Sequence, residues 1–242
     1  MVPNVLPLSQ LWNFDRFGDS DFDVSTMEVP DQADIREAMK KVDYTQLRYN
    51  DEAGILSTEN TDIQIELGAI GKGYAIEQAK EILTSSDASG GMISAGSSIY
   101  VYGKKPDGSK FRVALRDPRG DENSAIGVLT LSDITISTSG DYERYFEKDG
   151  VRYHHILDPR TGYPADSDLL SVAVISKDGT LADYLSTTLF VQGLEAAKAA
   201  AGSEDYALVM VDQENNVWIS GSLRGNFEPH ETDADYTYTY ID

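Results

Sequence analysis

The sequence predicts an α+β fold with mixed and antiparallel sheets flanked by helices. Three observations predict it. Short apolar or alternating runs of strand length recur along most of the chain, and turn signals such as Pro106-Asp107-Gly108 and Lys148-Asp149-Gly150 separate them. Only three or four stretches carry a helical period. Strands and helices are interleaved, as α+β chains arrange them.

Taken in order, residues 4–14 are largely apolar, and Trp12 and Phe14 there are packing residues. An acidic linker, residues 15–23, follows. Pro30-Asp31 opens a helix, DQADIREAMKKV, whose Ile35, Met39 and Val42 form one stripe. Residues 47–49 and 54–56 read as short strands about the turn 50–53, and residues 62–67 as an alternating strand. Gly68 to Gly73 makes a strand-to-helix turn into a helix over 74–84, with Ala75, Ala79 and Leu83 as its packing stripe.

Residues 92–95 read as a buried strand, and 99–104 with 110–116 as a hairpin about Pro106-Asp107-Gly108. Strands at 125–131 and 134–138 come next, then a pair at 142–147 and 151–157. The apolar run Leu169 to Ile175 feeds a central helix, and an alanine-rich helix spans 194–201. A last strand pair is expected at 206–211 and 217–220, before an acidic, Tyr-rich tail that holds His230 on the surface. No internal repeat is visible.

Composition excludes several function classes. The chain has 242 residues, 40% of them hydrophobic, enough for one sizeable core or two small ones. Lys and Arg number 20 against 41 Asp and Glu, a formal net charge of −21 at pH 7. So acidic a surface argues against nucleic acid and anionic membranes as partners, and an anionic substrate needs a local positive site or a metal. Cysteine is absent, which removes disulfides, thiol catalysis and zinc–thiolate sites. No apolar run reaches the ~20 residues of a membrane span. MVPNVLPLSQLW lacks the basic and long apolar regions of a signal peptide.

The residues that carry chemistry gather around 134–190. Asp183, Ser186 and Thr187 stand at i, i+3 and i+4, so a helix presents one carboxylate and two hydroxyls on one face. Such hard oxygen donors suit Mg²⁺ or Ca²⁺. An ordinary buried helix offers the same triplet, and spacing alone favours that plainer reading. Gly68 to Gly73 can let backbone approach a phosphate at a helix start, or can simply permit close packing. Lys72 is a phosphate contact or a solvated lysine. His154 and His155 precede the turn Asp158-Pro159-Arg160-Thr161-Gly162. A histidine there can serve as acid or base near neutrality, or can pack the turn through a hydrogen bond to Asp158.

Four blocks, in order, resemble the FAD:protein FMN transferases, the ApbE family. They are VLPLSQLWNF from Val5, IELGAIGKGYAIEQAKEIL from Ile65, TSGDYERYFEKDG with HHILDPRTGYP, and ADYLSTTLF. The resemblance implies a single compact α+β domain over residues 1–242, short at the N-terminus relative to the family. It implies a Mg²⁺-dependent enzyme that moves FMN from FAD onto a Thr or Ser hydroxyl of a flavin-acceptor protein, releasing AMP. By this resemblance Mg²⁺ is held by the carbonyl of Ala69 and by Asp183 and Thr187, with Ser186 as an added side chain. Glu66 matches an acidic flavin contact, Lys72 and Leu157 match nucleotide contacts, and His155 aligns with the family's histidine of the turn. Asp183 and His155 are the expected catalytic residues.

The pattern also departs from the family. Ser94-Ala95-Gly96-Ser97-Ser98 stands where relatives commonly show Asn-x-Gly-Gly-Asp, and Asn4 stands at a threonine position. Two other activities fit the same blocks: Mg²⁺-dependent hydrolysis of FAD to FMN and AMP, and flavin binding without turnover. Family members are commonly exported or attached to the cell envelope, and that location is the expectation here.

Overall fold

The computed structural model describes residues 4–230 and 235–242. Its first elements are α1 (Leu6–Leu11), α2 (Gln32–Met39), β1 (Arg48–Asn50), β2 (Ile55–Ser57) and α3 (Gly71–Thr84). Then come β3 (Gly90–Ala95), β4 (Ser98–Gly103), β5 (Phe111–Arg116), β6 (Ala125–Leu131), β7 (Ile134–Gly140), β8 (Tyr145–Lys148) and β9 (Val151–His154). The rest are β10 (Leu169–Ser176), α4 (Gly179–Gln192), α5 (Leu194–Ala199), β11 (Tyr206–Asp212), β12 (Asn216–Ser220), β13 (Phe227–Pro229) and β14 (Thr237–Ile241). Helices and mixed sheets alternate, and the α+β class expected from the sequence holds.

The chain divides into two compact units: Met1–Leu67 with Glu143–Asp166, and Gly68–Tyr142 with Ser167–Asp242. The first is organised by aromatic packing. Trp12 is fully buried and lies against Phe14, Phe146, Tyr153 and Tyr163, while its indole N–H donates to the carbonyl of Gly162 at 2.9 Å. A buried indole nitrogen needs such a partner, and a turn carbonyl supplies it. Ile35 of α2 belongs to the same cluster and presses on Gly162, whose φ of +78° only glycine adopts freely.

The second unit carries a seven-stranded sheet in the order β14-β12-β11-β10-β7-β4-β3 and a three-stranded sheet in the order β13-β6-β5. β10 lies inside the larger sheet, between β11 and β7, and all its residues are buried. This is why LLSVAVIS reads as a continuous apolar run with no alternation. It is followed by α4, started by Asp178, whose carboxylate accepts from the amide of Leu181 at 2.9 Å. α4 packs on β7 and β10 and against α3.

Several expectations give way. Residues 62–67 are no strand, because their alternation meets no ladder partner among the described residues, and Ile65 and Leu67 are exposed. The turn at Pro106-Asp107-Gly108 joins strands of different sheets: β4 pairs with β3 and β7, β5 with β6. β3 is an edge strand with Met92 exposed, so 92–95 is not buried. α3 buries Gly73 and Ile76; of the expected stripe, Ala75 is exposed whereas Ala79 and Leu83 are half-buried. A Cβ on Gly73 would overlap the Gly179 carbonyl oxygen and stand 2.7 Å from Asp183 Cβ, so this glycine sets how closely α3 approaches α4. β13 and β14 answer no pattern read from the sequence.

Candidate functional site

Asp183 sits in the second turn of α4 and is 1% exposed. A carboxylate so buried is costly unless its oxygens are occupied. Its Oδ2 accepts the amide of Gly73, in the first turn of α3, at 2.9 Å. That amide has no partner within its own helix, and the carboxylate also lies at the positive end of the helix dipole. Its Oδ1 lies 3.0 Å from the ammonium of Lys72. The same ammonium donates to the carbonyl of Gly68 at 3.1 Å. Lys72 and Asp183, apart by more than a hundred positions, are therefore brought into contact.

Ser186 and Thr187 lie on the same helix. The Ser186 hydroxyl donates to the Asp183 carbonyl at 2.9 Å, and Ser139 of β7 is hydrogen-bonded to Ser186 at 2.9 Å and to Thr187 at 3.0 Å. One step along the strand, Ser137 is hydrogen-bonded to Ser98, whose hydroxyl reaches Asp183 Oδ1 at 3.5 Å. Ser98 and Ser137 are fully buried. Sequence reasoning missed these three serines. The signal was available: Thr135, Ser137 and Ser139 alternate on one face of a strand that is buried along most of its length.

The Gly-rich turn divides between the two readings it allowed. Gly73 is required for packing, and its amide is engaged by Asp183, so this amide serves the protein rather than a phosphate. Ala69, whose carbonyl the resemblance nominated, lies half-buried in the turn just before α3.

The remaining candidates belong to the other unit. Leu157 is 7% exposed and sits in the Trp12 cluster, so its side chain is a core residue. Glu66 is half-buried. Burial holds its carboxyl above the usual carboxylate range; Arg144 opposes this and Asp15 adds to it. The amide of His155 donates to the Arg144 carbonyl at 3.0 Å. His154 is buried, with Nε2 at 3.2 Å from the Ala165 carbonyl. Asp158 is clasped by Arg160, whose guanidinium reaches both its oxygens at 2.7 to 3.0 Å. Burial pushes the Asp158 carboxyl up, but these hydrogen bonds prevail and hold it below the usual range.

The ApbE family profile matches residues 2–210. The chain belongs to the ApbE family. A protein of Klebsiella pneumoniae named FAD:protein FMN transferase is 34% identical over 237 residues, covering 98% of this chain and 69% of its own length. One of the same name from Treponema pallidum is 35% identical, covering 78% of this chain and 54% of its own. The chain thus spans between about half and two-thirds of the length of these curated ApbE relatives. Among solved structures, the ApbE protein of Thermotoga maritima superposes with a TM-score of 0.75 at 34% identity, covering 95% of this chain and 72% of that one. The flavinyl transferase ApbE of Pseudomonas stutzeri, in its apo form, gives a TM-score of 0.71 at 32% identity, with 88% and 63% covered.

Proposed function

We propose that this ApbE-family chain transfers FMN from FAD to a Thr or Ser hydroxyl of an acceptor protein, with Mg²⁺ as cofactor and AMP as the second product. One observation carries the reading: in a chain related to named FAD:protein FMN transferases, the buried Asp183 carboxylate and the Gly68 carbonyl together hold a positive group, the Lys72 ammonium. The donors are a carboxylate, turn carbonyls and the hydroxyls of Ser186 and Thr187, which suit a small hard cation. Asp183, Thr187, Ser186 and the Ala69 carbonyl would hold it. When bound, it would supply positive charge to the pyrophosphate oxygens as charge builds on them.

The reaction forms a bond between the acceptor oxygen and the phosphorus of the FMN half, and breaks the bond from that phosphorus to the bridging oxygen. The bridging oxygen leaves with AMP, and the acceptor hydroxyl gives up its proton. His155 is the residue we assign to take that proton. Lys72 brings charge that can offset the phosphates, on a chain whose overall charge of −21 repels them. We assign Glu66 to the flavin and Leu157 to the nucleotide.

The deciding experiment incubates the chain with FAD and Mg²⁺, with and without a flavin-acceptor protein. A covalent fluorescent band that needs the acceptor, together with AMP, is the expected result. AMP without a band would make the chain an FAD pyrophosphatase, and neither product would overturn the enzymatic reading.

A further inference from the structure

Lys72 occupies a seat of the kind a metal ion takes. Its ammonium lies between Asp183 Oδ1 at 3.0 Å and the Gly68 carbonyl at 3.1 Å, both oxygens. Those are a carboxylate and a carbonyl of the 68–70 turn, the two kinds of donor assigned above to the cation. The lysine stem runs past Gly96, where a Cβ would stand 3.7 Å from Lys72 Cδ. The two oxygens of Asp183 differ in how firmly they are held. Oδ2 is fixed by an amide of an ordered helix, whereas Oδ1 has the Ser98 hydroxyl at 3.5 Å and, nearer, a flexible side chain that remains 36% exposed. Two positive groups cannot share Oδ1 without repelling each other.

We propose that Lys72 is a positioning residue that competes with the divalent cation for Asp183, so that metal binding and release of the ammonium are one exchange. The inference rests on the reading of Asp183 as the cation ligand. It gives the buried carboxylate a positive partner on either side of the exchange. It also makes the ammonium available to an anionic substrate only once the cation has taken its place.

The test measures cation binding, not turnover. Mg²⁺ is titrated by calorimetry, without FAD, into the unaltered chain and into Lys72→Gln, Lys72→Arg and Asp183→Asn. Gln removes the charge but still donates a hydrogen bond, and Arg keeps the charge. Lys72→Gln should bind Mg²⁺ roughly two- to five-fold tighter than the unaltered chain, a gain set by the loss of one ion pair. Lys72→Arg should stay close to the unaltered chain. Equal or weaker binding by Lys72→Gln, with binding by the unaltered chain intact, overturns the exchange and leaves the metal reading standing. If the unaltered chain shows no Mg²⁺ binding that Asp183→Asn removes, the metal reading fails and the exchange falls with it.

A second measurement needs no variant. Acetylation of Lys72 by a small amine-reactive ester, followed by peptide mass spectrometry, should rise when Mg²⁺ replaces chelator. Unchanged or lower reactivity would contradict the exchange even if Lys72→Gln proved too unstable to titrate.

Discussion

The amide of Gly73 and the carboxylate of Asp183 meet at 2.9 Å across 110 positions of sequence, joining the start of α3 to the second turn of α4. Asp183 is thus a remote helix cap as well as a candidate ligand, and its substitutions separate the two roles. Asp183→Asn keeps an oxygen for the amide, whereas Asp183→Ala leaves that buried donor unmatched. Chemical denaturation should find the alanine variant less stable by about 1–3 kcal/mol, and the asparagine variant closer to the unaltered chain. Both should lose Mg²⁺-dependent turnover of FAD. Normal turnover in either would remove Asp183 from the metal site.

Ser139 is the hinge between the two hydroxyls of α4. Removing its own hydroxyl leaves Ser186 tied to the Asp183 carbonyl and takes the strand partner away from Thr187. Ser139→Ala should cost about 1 kcal/mol of stability. It should also weaken Mg²⁺ binding roughly ten-fold, the usual effect of losing a group that orients ligands. A variant that binds Mg²⁺ like the unaltered chain would reduce Ser139 to a packing residue.

How much of this could be read from the sequence follows from where each partner lies. β1 with β2, β8 with β9 and β11 with β12 pair across a few residues, and turn residues announce them. The segments at 62–67 and 106–110 failed because alternation and a turn motif say nothing about which edge is free to receive a strand. Asp183, Ser186 and Thr187 were legible as one helical face. Ser137 and Ser139 were legible as one face of a strand, but their meeting with Ser98 and α4 was not, because those partners stand across a sheet or on a helix and only the fold brings them close. The role of Gly73 was legible as two options, and the nearness of Gly179 decides between them.

As adjacent histidines, His154 and His155 offer the same side-chain chemistry. The structure removes that symmetry, since His154 is buried against the Ala165 carbonyl. His154→Asn should therefore lower stability by about 1–3 kcal/mol through lost packing and a changed hydrogen bond. His155→Asn should instead slow the chemical step by ~10²–10⁴-fold with FAD binding little altered. Single-turnover rates and FAD titrations separate the two effects. Equal rates from His155→Asn and the unaltered chain would return His155 to a structural part.

Glu66 gives a pH dependence of definite sign. Burial raises its carboxyl above the usual range, against the pull of Arg144 and with the help of Asp15. The folded chain therefore holds this proton more tightly than the unfolded chain does. Stability falls as pH rises from the ordinary glutamate value through the raised one, and the loss is complete above it. Glu66→Gln escapes that loss. Its melting temperature relative to the unaltered chain should be higher at pH 7.5 than at pH 4. The same difference at both pH values would show that Glu66 is not held in this way.

β14 runs parallel to β12 at the margin of the larger sheet, while Tyr238 passes its hydroxyl to the Ile126 carbonyl of β6 at 2.7 Å and Tyr236 reaches Asp117 at 2.7 Å. One short strand thereby covers β12, becomes the margin in its place, and ties the smaller sheet to the larger. During synthesis every other strand of this unit emerges first, so until β14 arrives β12 exposes a row of unpaired amides and carbonyls. An edge of that kind recruits strands from other chains. The nascent chain is thus most prone to self-association in the interval before β14 emerges, and a bulky fusion that keeps β14 from docking would prolong that interval.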